Sequence, residues 1–401
     1  MLPALYHQRL EASKFTSTRE QRRAIHRLNN YVLGTEYKRK AAMLAPVSRE
    51  SKRLKRDKFD LLDAIHLAEY AIVKRPKGKS GQPIEPAHKF EVNIEADSFT
   101  KEKYDVFLRY QKQIHKDPVS RWPESAMKRF LCGGLDRSTK KNEKGKVQKL
   151  GSYHQCYRLD GKLVAVGVLD LLPHAVSSVY LFYDPDHGHH DWGKISALHE
   201  IGLSLENQYD YYYMGYYIHS CLKMRYKAGF RPSQLLDPET NEWNLFDDTY
   251  RQKLDKRKYV SPSRDAKESP SEDPLAVGPH EPVPQATEES KNDTTKSRAA
   301  KFADEEDLEL DEEDSENDDA EIPEGSLFDY NVPGIMKKNE VVKLDLSHWK
   351  LVVRDSLIDL EDLRDWESWK IDDPNSIKGI AAELIASTGP KLLKNSALVL
   401  F

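Results

Sequence analysis

The sequence predicts an α/β fold with a strand–helix–strand crossover at its centre, and three observations carry this. Leu163-Val164-Ala165-Val166-Gly167-Val168-Leu169 is an unbroken apolar run of strand length, the pattern of a strand buried on both faces. Residues 178–183 (Ser-Val-Tyr-Leu-Phe-Tyr) read as a second strand stopped by Asp184-Pro185, and residues 211–218 as a tyrosine-rich third. Between the last two, Ile195, Leu198, Ile201 and Leu205 recur at helical spacing over 193–207. A strand, strand, helix, strand order closed by a short helix through 221–227 calls for a crossover connection in a sheet.

The flanks fit around this centre. Ile25, Leu28 and Val32 predict a helix over 18–40, and Phe59, Leu62, Ile65 and Leu67 a second one. Residues 75–83 are rich in Gly and Pro and read as a linker. Residues 90–95 alternate like a strand, and 100–116 look helical up to Asp117-Pro118. Residues 256–325 are poor in aromatics and rich in Pro, Ser and Glu. They cannot bury enough apolar surface to offset their ordering entropy, and the expectation is a disordered acidic linker. Order is expected again over 326–401, with helices near 356–369 and 377–387 and the segment packing on the core.

Charge is divided unevenly. The net charge is −4, yet residues 261–325 hold 22 Asp and Glu against 6 Lys and Arg, and the remainder is +12. The first 60 residues carry 15 basic against 6 acidic side chains. A basic body suits a polyanionic partner while the acidic tract stays away from it. Three cysteines, Cys132, Cys156 and Cys221, make no disulfide framework, and a reducing compartment is expected. No apolar run approaches the roughly 20 residues that span a bilayer. The expectation is a cytoplasmic protein with access to the nucleus, no membrane partner and a monomeric state.

Three stretches resemble the eukaryotic arginyl-tRNA–protein transferase family. The first is Tyr104…Tyr110-Gln111…His115-Lys116-Asp117, leading into Phe130-Leu131-Cys132. The second runs from Gly151-Ser152-Tyr153-His154-Gln155-Cys156 through Val166-Gly167-Val168-Leu169-Asp170 to Tyr183-Asp184-Pro185-Asp186. The third is Tyr211-Tyr212-Tyr213-Met214-Gly215-Tyr216-Tyr217-Ile218-His219-Ser220-Cys221, then Lys223-Met224, Tyr226-Lys227 and Arg231-Pro232-Ser233. The resemblance spans roughly residues 88–245. It implies an acetyltransferase-like (GNAT-like) core that takes arginyl-tRNA as co-substrate and moves arginine to the N-terminal α-amine of proteins starting with Asp or Glu, marking them for N-degron, ubiquitin-dependent degradation. The domains expected are a truncated helical N-terminal domain over 1–76, a catalytic domain over 88–255, the acidic linker over 256–325 and the C-terminal segment over 326–401.

Two departures from the family pattern stand out. The family carries an N-terminal Cys-x-x-Cys and a Cys-Cys pair for a metal or iron–sulfur site, whereas Leu2 and Pro3 occupy the corresponding places here and no cysteine precedes Cys132. Such a site needs thiolate ligands, so no cofactor is expected in this chain, and a truncated start is the expected explanation. The family's Leu-Ser-Leu-Gly-like turn is replaced by His189-His190-Asp191-Trp192-Gly193, so the resemblance assigns no donor contacts to that turn.

The chemistry implied is attack of an amine on an already activated ester. The α-amine, with a pKa of about 7.7–8.0, must lose a proton to attack. Asp170 and Asp184, at the ends of the two central strands, are the candidate bases, each against the plainer reading of a strand-end carboxylate. Lys223, Lys227 and Arg231 follow the tyrosine-rich strand at near-helical intervals and are candidates to hold an acidic acceptor residue. His154 and Gln155 are expected to line the same cleft, with Tyr180 and Tyr216 contributing to substrate binding; among the tyrosines of 211–217, Tyr216 is favoured for stacking. His187, His189 and His190 lack a helical pair of ligands and are read as non-metal. Two alternatives stand beside the transferase. One is an acyl-CoA-dependent acetyltransferase, although Gly188 and Gly193 lack the spacing of a pyrophosphate turn. The other is a non-catalytic tRNA- or degron-binding relative.

Overall fold

The computed structural model describes residues 5–44, 59–78, 81–143, 145–268, 325–330, 332, 334–353, 356–391 and 396–399. Most of the acidic linker, residues 269–324, lies outside the described residues. The chain divides into two units, Met1–Asp265 and Ala266–Phe401.

The first unit is built on a nine-stranded mixed sheet. Its strands are β1 (Tyr6–Glu11), β2 (Phe90–Ala96), β3 (Ser138–Lys141), β4 (Val147–Leu159), β5 (Lys162–Leu172), β6 (Ala175–Tyr183), β7 (Tyr211–Tyr217), β8 (Gln234–Leu236) and β9 (Trp243–Leu245). They lie in the order β2-β4-β5-β6-β7-β1-β8-β9, with β3 paired to β4. β4, β5 and β6 form an antiparallel meander, and β6 and β7 run parallel across the expected crossover. The helices of this unit are α1 (Arg19–Leu44), α2 (Leu61–His66), α3 (Lys101–Ile114), α4 (Glu124–Leu131), α5 (Trp192–Asn207), α6 (Asp248–Lys256) and α7 (Pro262–Glu268).

Burial explains the layers. Leu163–Leu169 is buried throughout, as a strand covered on both faces must be. One face receives α1, α2 and α5: Ile25, Leu28, Val32, Ile65, Ile195, Leu198 and Ile201 share a core cluster with Tyr157, Ala165 and Leu169. The other face receives α3 and α4: Phe107, Met127 and Leu131 pack with Cys156, Val166, Val168 and Phe182.

Several expectations change. Residues 1–76 open on a strand, not a helix. In β1, Tyr6, Gln8 and Leu10 are buried and His7 exposed, and the strand serves as an inner member of the sheet between β7 and β8. Order also extends past residue 256. The Val260 backbone is clasped by the Tyr6 hydroxyl, which accepts from its N–H at 2.7 Å and donates to its C=O at 3.0 Å, and Ser261 Oγ donates to Asp237 Oδ1 at 2.9 Å. In the second unit, residues 356–369 are not a helix. Ser356–Asp359 (β11) pairs antiparallel with Lys350–Val353 (β10), because partnering a neighbouring strand outweighs the helical spacing of Leu357, Leu360 and Leu363. The helix Ile377–Thr388 forms as expected, and this unit buries a cluster of its own around Trp349, Leu360, Trp366 and Ile385.

Candidate functional site at the parting of β6 and β7

The parallel ladder between β6 and β7 is short. It pairs Ala175, Val176 and Ser177 with Tyr211, Tyr212 and Tyr213, and ends there although both strands run on. At the parting, Gly215 adopts a positive φ of 73°, a conformation that favours glycine, opposite a bulge between Gln8 and Arg9 of β1. A Cβ on Gly215 would stand 3.3 Å from the Ser178 carbonyl, so β6 still lies close by.

A lysine fills the gap. Lys227 Nζ donates to Met214 O and Tyr216 O, both at 2.8 Å, taking the carbonyls of β7 that point away from β1. Burial pushes the Lys227 ammonium down to about 8, while the charge of Glu200 opposes the shift. Glu200, on α5, is fully buried. Its carboxylate accepts from Tyr212 Oη at 2.6 Å and from Ser196 Oγ, and burial raises its pKa. Gly167 of β5 makes the room: a Cβ there would lie 3.1 Å from Glu200 Oε1 and 3.4 Å from Ser196 Oγ. Two titratable groups of opposite charge type, each pushed toward neutrality, thus flank the place where the strands separate.

A second feature crosses the sheet on the face away from α5. Direct register partners place Ser152, Asp170, Ser177, Tyr213, Arg9 and Gln234 in one row over β4, β5, β6, β7, β1 and β8. Side chains directly opposite one another share a face. Asp170 is part-exposed and accepts a hydrogen bond from Ser152 Oγ, whose oxygen in turn accepts from the Leu135 backbone at 2.7 Å.

The other expected residues scatter. Asp184 is engaged: Arg109 Nη1 donates to it at 2.8 Å, and its carboxylate caps the turn Pro185–His190 through the Asp186 N–H. His154 and Gln155 do not line one cleft, because neighbours on a strand face opposite ways. His154 Nε2 meets Leu131 O of α4, and burial lowers its pKa to about 4; Gln155 accepts from Tyr157 Oη in the layer beneath α5. Tyr180 is a packing residue against Tyr110 and Phe130, its hydroxyl accepting from Gln111 Nε2. Tyr216 is 47% exposed and rests on His7.

The basic trio does not converge. Residues 222–229 form a 3-10 helix, not an α-helix, and at three residues per turn a step of four turns the side chain by roughly 120°. Lys223 is therefore exposed while Lys227 points into the strand gap. Arg231, beyond the helix, is bound to Asp248 with Nη2 to Oδ1 at 2.6 Å. The histidines at 187, 189 and 190 stack with one another, and among the described residues no group of three or more His, Cys, Asp or Glu is placed to hold a metal ion.

Residues 102–237, which contain the parted strands, Glu200 and Lys227, match the family model described as arginine-tRNA-protein transferase, C terminus. Over this stretch the chain is similar to that transferase family. An arginyl-tRNA–protein transferase of Arabidopsis thaliana is 46% identical over 179 residues, 43% of this chain and 28% of the relative. One of Drosophila melanogaster is 44% identical over 179 residues, 42% of this chain and 36% of the relative. An aspartate/glutamate leucyltransferase of Pseudomonas fluorescens is 38% identical over 142 residues, 34% of this chain and 53% of the relative. The chain thus spans from under a third to about half of the length of these relatives.

Cys132, Cys156 and Cys221 are separate free thiols, and Cys156 is fully buried with its thiol pushed up to about 12. Glu200 and Gly167 are members of the candidate site that sequence reasoning passed over. A carboxylate within the apolar helix 193–207 and a glycine within an otherwise branched strand were the available signals.

Proposed function

We propose that this chain transfers arginine from arginyl-tRNA to the N-terminal α-amine of proteins that begin with Asp or Glu, and that Lys227 receives the proton of that amine. The observation that carries the chemical assignment is the pair of carbonyl acceptors on Lys227. A neutral amine has two N–H groups, and Met214 O and Tyr216 O accept two, which leaves the nitrogen lone pair unspent. Burial that lowers its pKa to about 8 matches it to an α-amine near 7.7–8.0, so the proton moves between groups of similar affinity. The freed amine attacks the ester carbonyl, a C–N bond forms, the C–O bond to the ribose breaks, and the ribose oxygen leaves with a proton.

Asp184 is a weaker choice of base, since its carboxylate is occupied by Arg109 and by a cap. Asp170 lies on the open row and is better placed to meet substrate than to compete with a better-matched amine. The acidic acceptor class leans on the name of the bacterial relative, aspartate/glutamate leucyltransferase. With the basic trio dispersed, Lys223 is the cation left to meet an acceptor carboxylate. In this reading residues 88–255 form the catalytic domain with a GNAT-like core, for which the antiparallel β4–β6 meander and the parting β6–β7 pair are the support. The protein acts as a cytoplasmic monomer at the arginine branch of the N-degron pathway. Offering arginyl-tRNA and acetyl-CoA side by side as donors to an Asp-starting peptide tests this. Transfer from the tRNA alone is expected, and transfer from acetyl-CoA alone replaces the reading with its acetyltransferase rival.

A further inference from the structure

On the face away from α5, the sheet end formed by β7, β1, β8 and β9 carries a set of flat side chains that the strand gap does not use. The Arg9 guanidinium lies 4.3 Å from the ring centroid of Tyr211 and 4.1 Å from that of Trp243. Trp243 and Tyr213 are stacked 5.8 Å apart with planes 9° from parallel, and Tyr211 and Tyr213 lie 6.4 Å apart at 21°. His174 Nε2 shares a hydrogen bond with Tyr213 Oη, and Gln234 Oε1 accepts from Arg9 Nε at 2.9 Å. Arg9, Tyr211, Tyr213 and Trp243 are none of them buried in the core; each is part-exposed. Parallel, half-open rings with an intercalated cation offer a π surface and a positive charge together.

We propose that this ladder is a stacking platform for the unpaired 3′-terminal nucleotides of the donor RNA, with Ser177 and Asp170 meeting the terminal ribose. The proposal rests on the transferase reading and gives its donor a place. Unpaired bases stack on aromatic side chains whatever their identity, and Arg9 adds attraction for both the base and the phosphate chain. The row geometry sets the direction. From Tyr213 the next register partner is Ser177 and the one after is Asp170, two strand spacings or roughly 10 Å away, within reach of a nucleoside whose base lies on the rings. A carboxylate beside a ribose accepts from its hydroxyls, which RNA offers and DNA lacks at the 2′ position. At the Tyr211 end, Glu11 is paired with Lys14 at 2.7 Å and Asp210 precedes the strand, while cations come from the β3–β4 hairpin. The β3–β4 hairpin bears Lys140, Lys141, Lys146 and Lys149 against Glu143. It rises from the end of β4 that aligns, through Gly151–Leu171 and Leu172–Ala175, with the Tyr211 end of β7. Phosphates leading away from the platform at that end meet cations.

The test uses the full chain and a fluorescein-labelled RNA hexamer ending in CCA, with the DNA hexamer of the same sequence as its partner probe. Trp243→Ala and Tyr213→Ala are each expected to weaken RNA binding by about 5- to 100-fold. Trp243→Phe and Tyr213→Phe, which keep a ring and guard against misfolding, stay within a few fold. Asp170→Asn narrows the preference for RNA over DNA without abolishing binding. Wild-type affinity in both alanine variants overturns the platform, as does loss of affinity in the phenylalanine variants equal to that in the alanine ones. Arginine transfer measured in parallel separates the two ideas. If Trp243→Ala transfers arginine with an unchanged KM for arginyl-tRNA, the platform falls and the transferase reading stands. If the variants lose hexamer binding while the wild-type chain transfers nothing, the platform stands and the transferase reading falls.

Discussion

Replacing Lys227 by arginine separates a proton acceptor from a mere cation. An ordinary lysine at 10.5 is neutral in about one molecule per thousand at pH 7.5, whereas a group near 8 is neutral in roughly a quarter. The protein therefore spends about 3 kcal/mol against the ammonium form, a cost with no evident structural return, since a charged lysine would bind Met214 O and Tyr216 O at least as well. Lys227→Arg retains N–H donors for both carbonyls but stays protonated and has no lone pair. Single-turnover transfer of labelled arginine to an Asp-starting peptide is expected to slow by about 10²–10⁴-fold, with the KM for the peptide changed little. If the arginine variant keeps kcat within a few fold, or if the loss is confined to KM, Lys227 is a seat for the acceptor's carboxylate and the proposed proton transfer is wrong.

Three further outcomes follow from the same geometry. Glu200 holds the Lys227 pKa up through its charge, so Glu200→Gln, which removes the charge and keeps one of the two acceptor oxygens that Ser196 and Tyr212 use, should move the acid limb of the pH–rate profile to lower pH; an unmoved limb breaks the coupling. Gly167→Ala brings a methyl to 3.1 Å from Glu200 Oε1 and should destabilise the first unit by about 1–3 kcal/mol in urea unfolding, whereas a neutral effect would mean that the carboxylate has room to move. His66, bonded to Glu69 at 2.8 Å and to Glu206 at 2.9 Å, has its pKa raised to about 9, chiefly by Glu69. Because the folded value is the higher one, this stabilisation is complete below about 6.5 and fades as pH rises through 9. Thermal melts of wild type and His66→Ala should therefore differ most at pH 6 and converge by pH 10.

How much of this could be read beforehand depended on the kind of pattern. The buried strand Lys162–Leu172 and the crossover from β6 through α5 to β7 were legible, because apolar runs and helical spacing report burial directly. Strand β1 was hidden by a polar residue in the core: Gln8 is 1% exposed, and its amide donates to Lys227 O and Ser233 Oγ, so Tyr6-His7-Gln8-Arg9-Leu10 shows no clean alternation. The trio Lys223, Lys227 and Arg231 was misjudged because a three-residue turn and an α-turn share the same sequence signature over one or two turns yet aim the side chains differently. His154 and Gln155 were grouped together although strand alternation separates them. The Arg9–Trp243 contact joins residues 234 positions apart, and only the sheet order brings them together.

The most direct measurement is transfer of labelled arginine from arginyl-tRNA to three peptides that differ only in their first residue, Asp, Glu or Ala. Label entering the Asp and Glu peptides, and scarcely the Ala peptide, is the outcome this account requires. Equal labelling of all three, or of none, contradicts it.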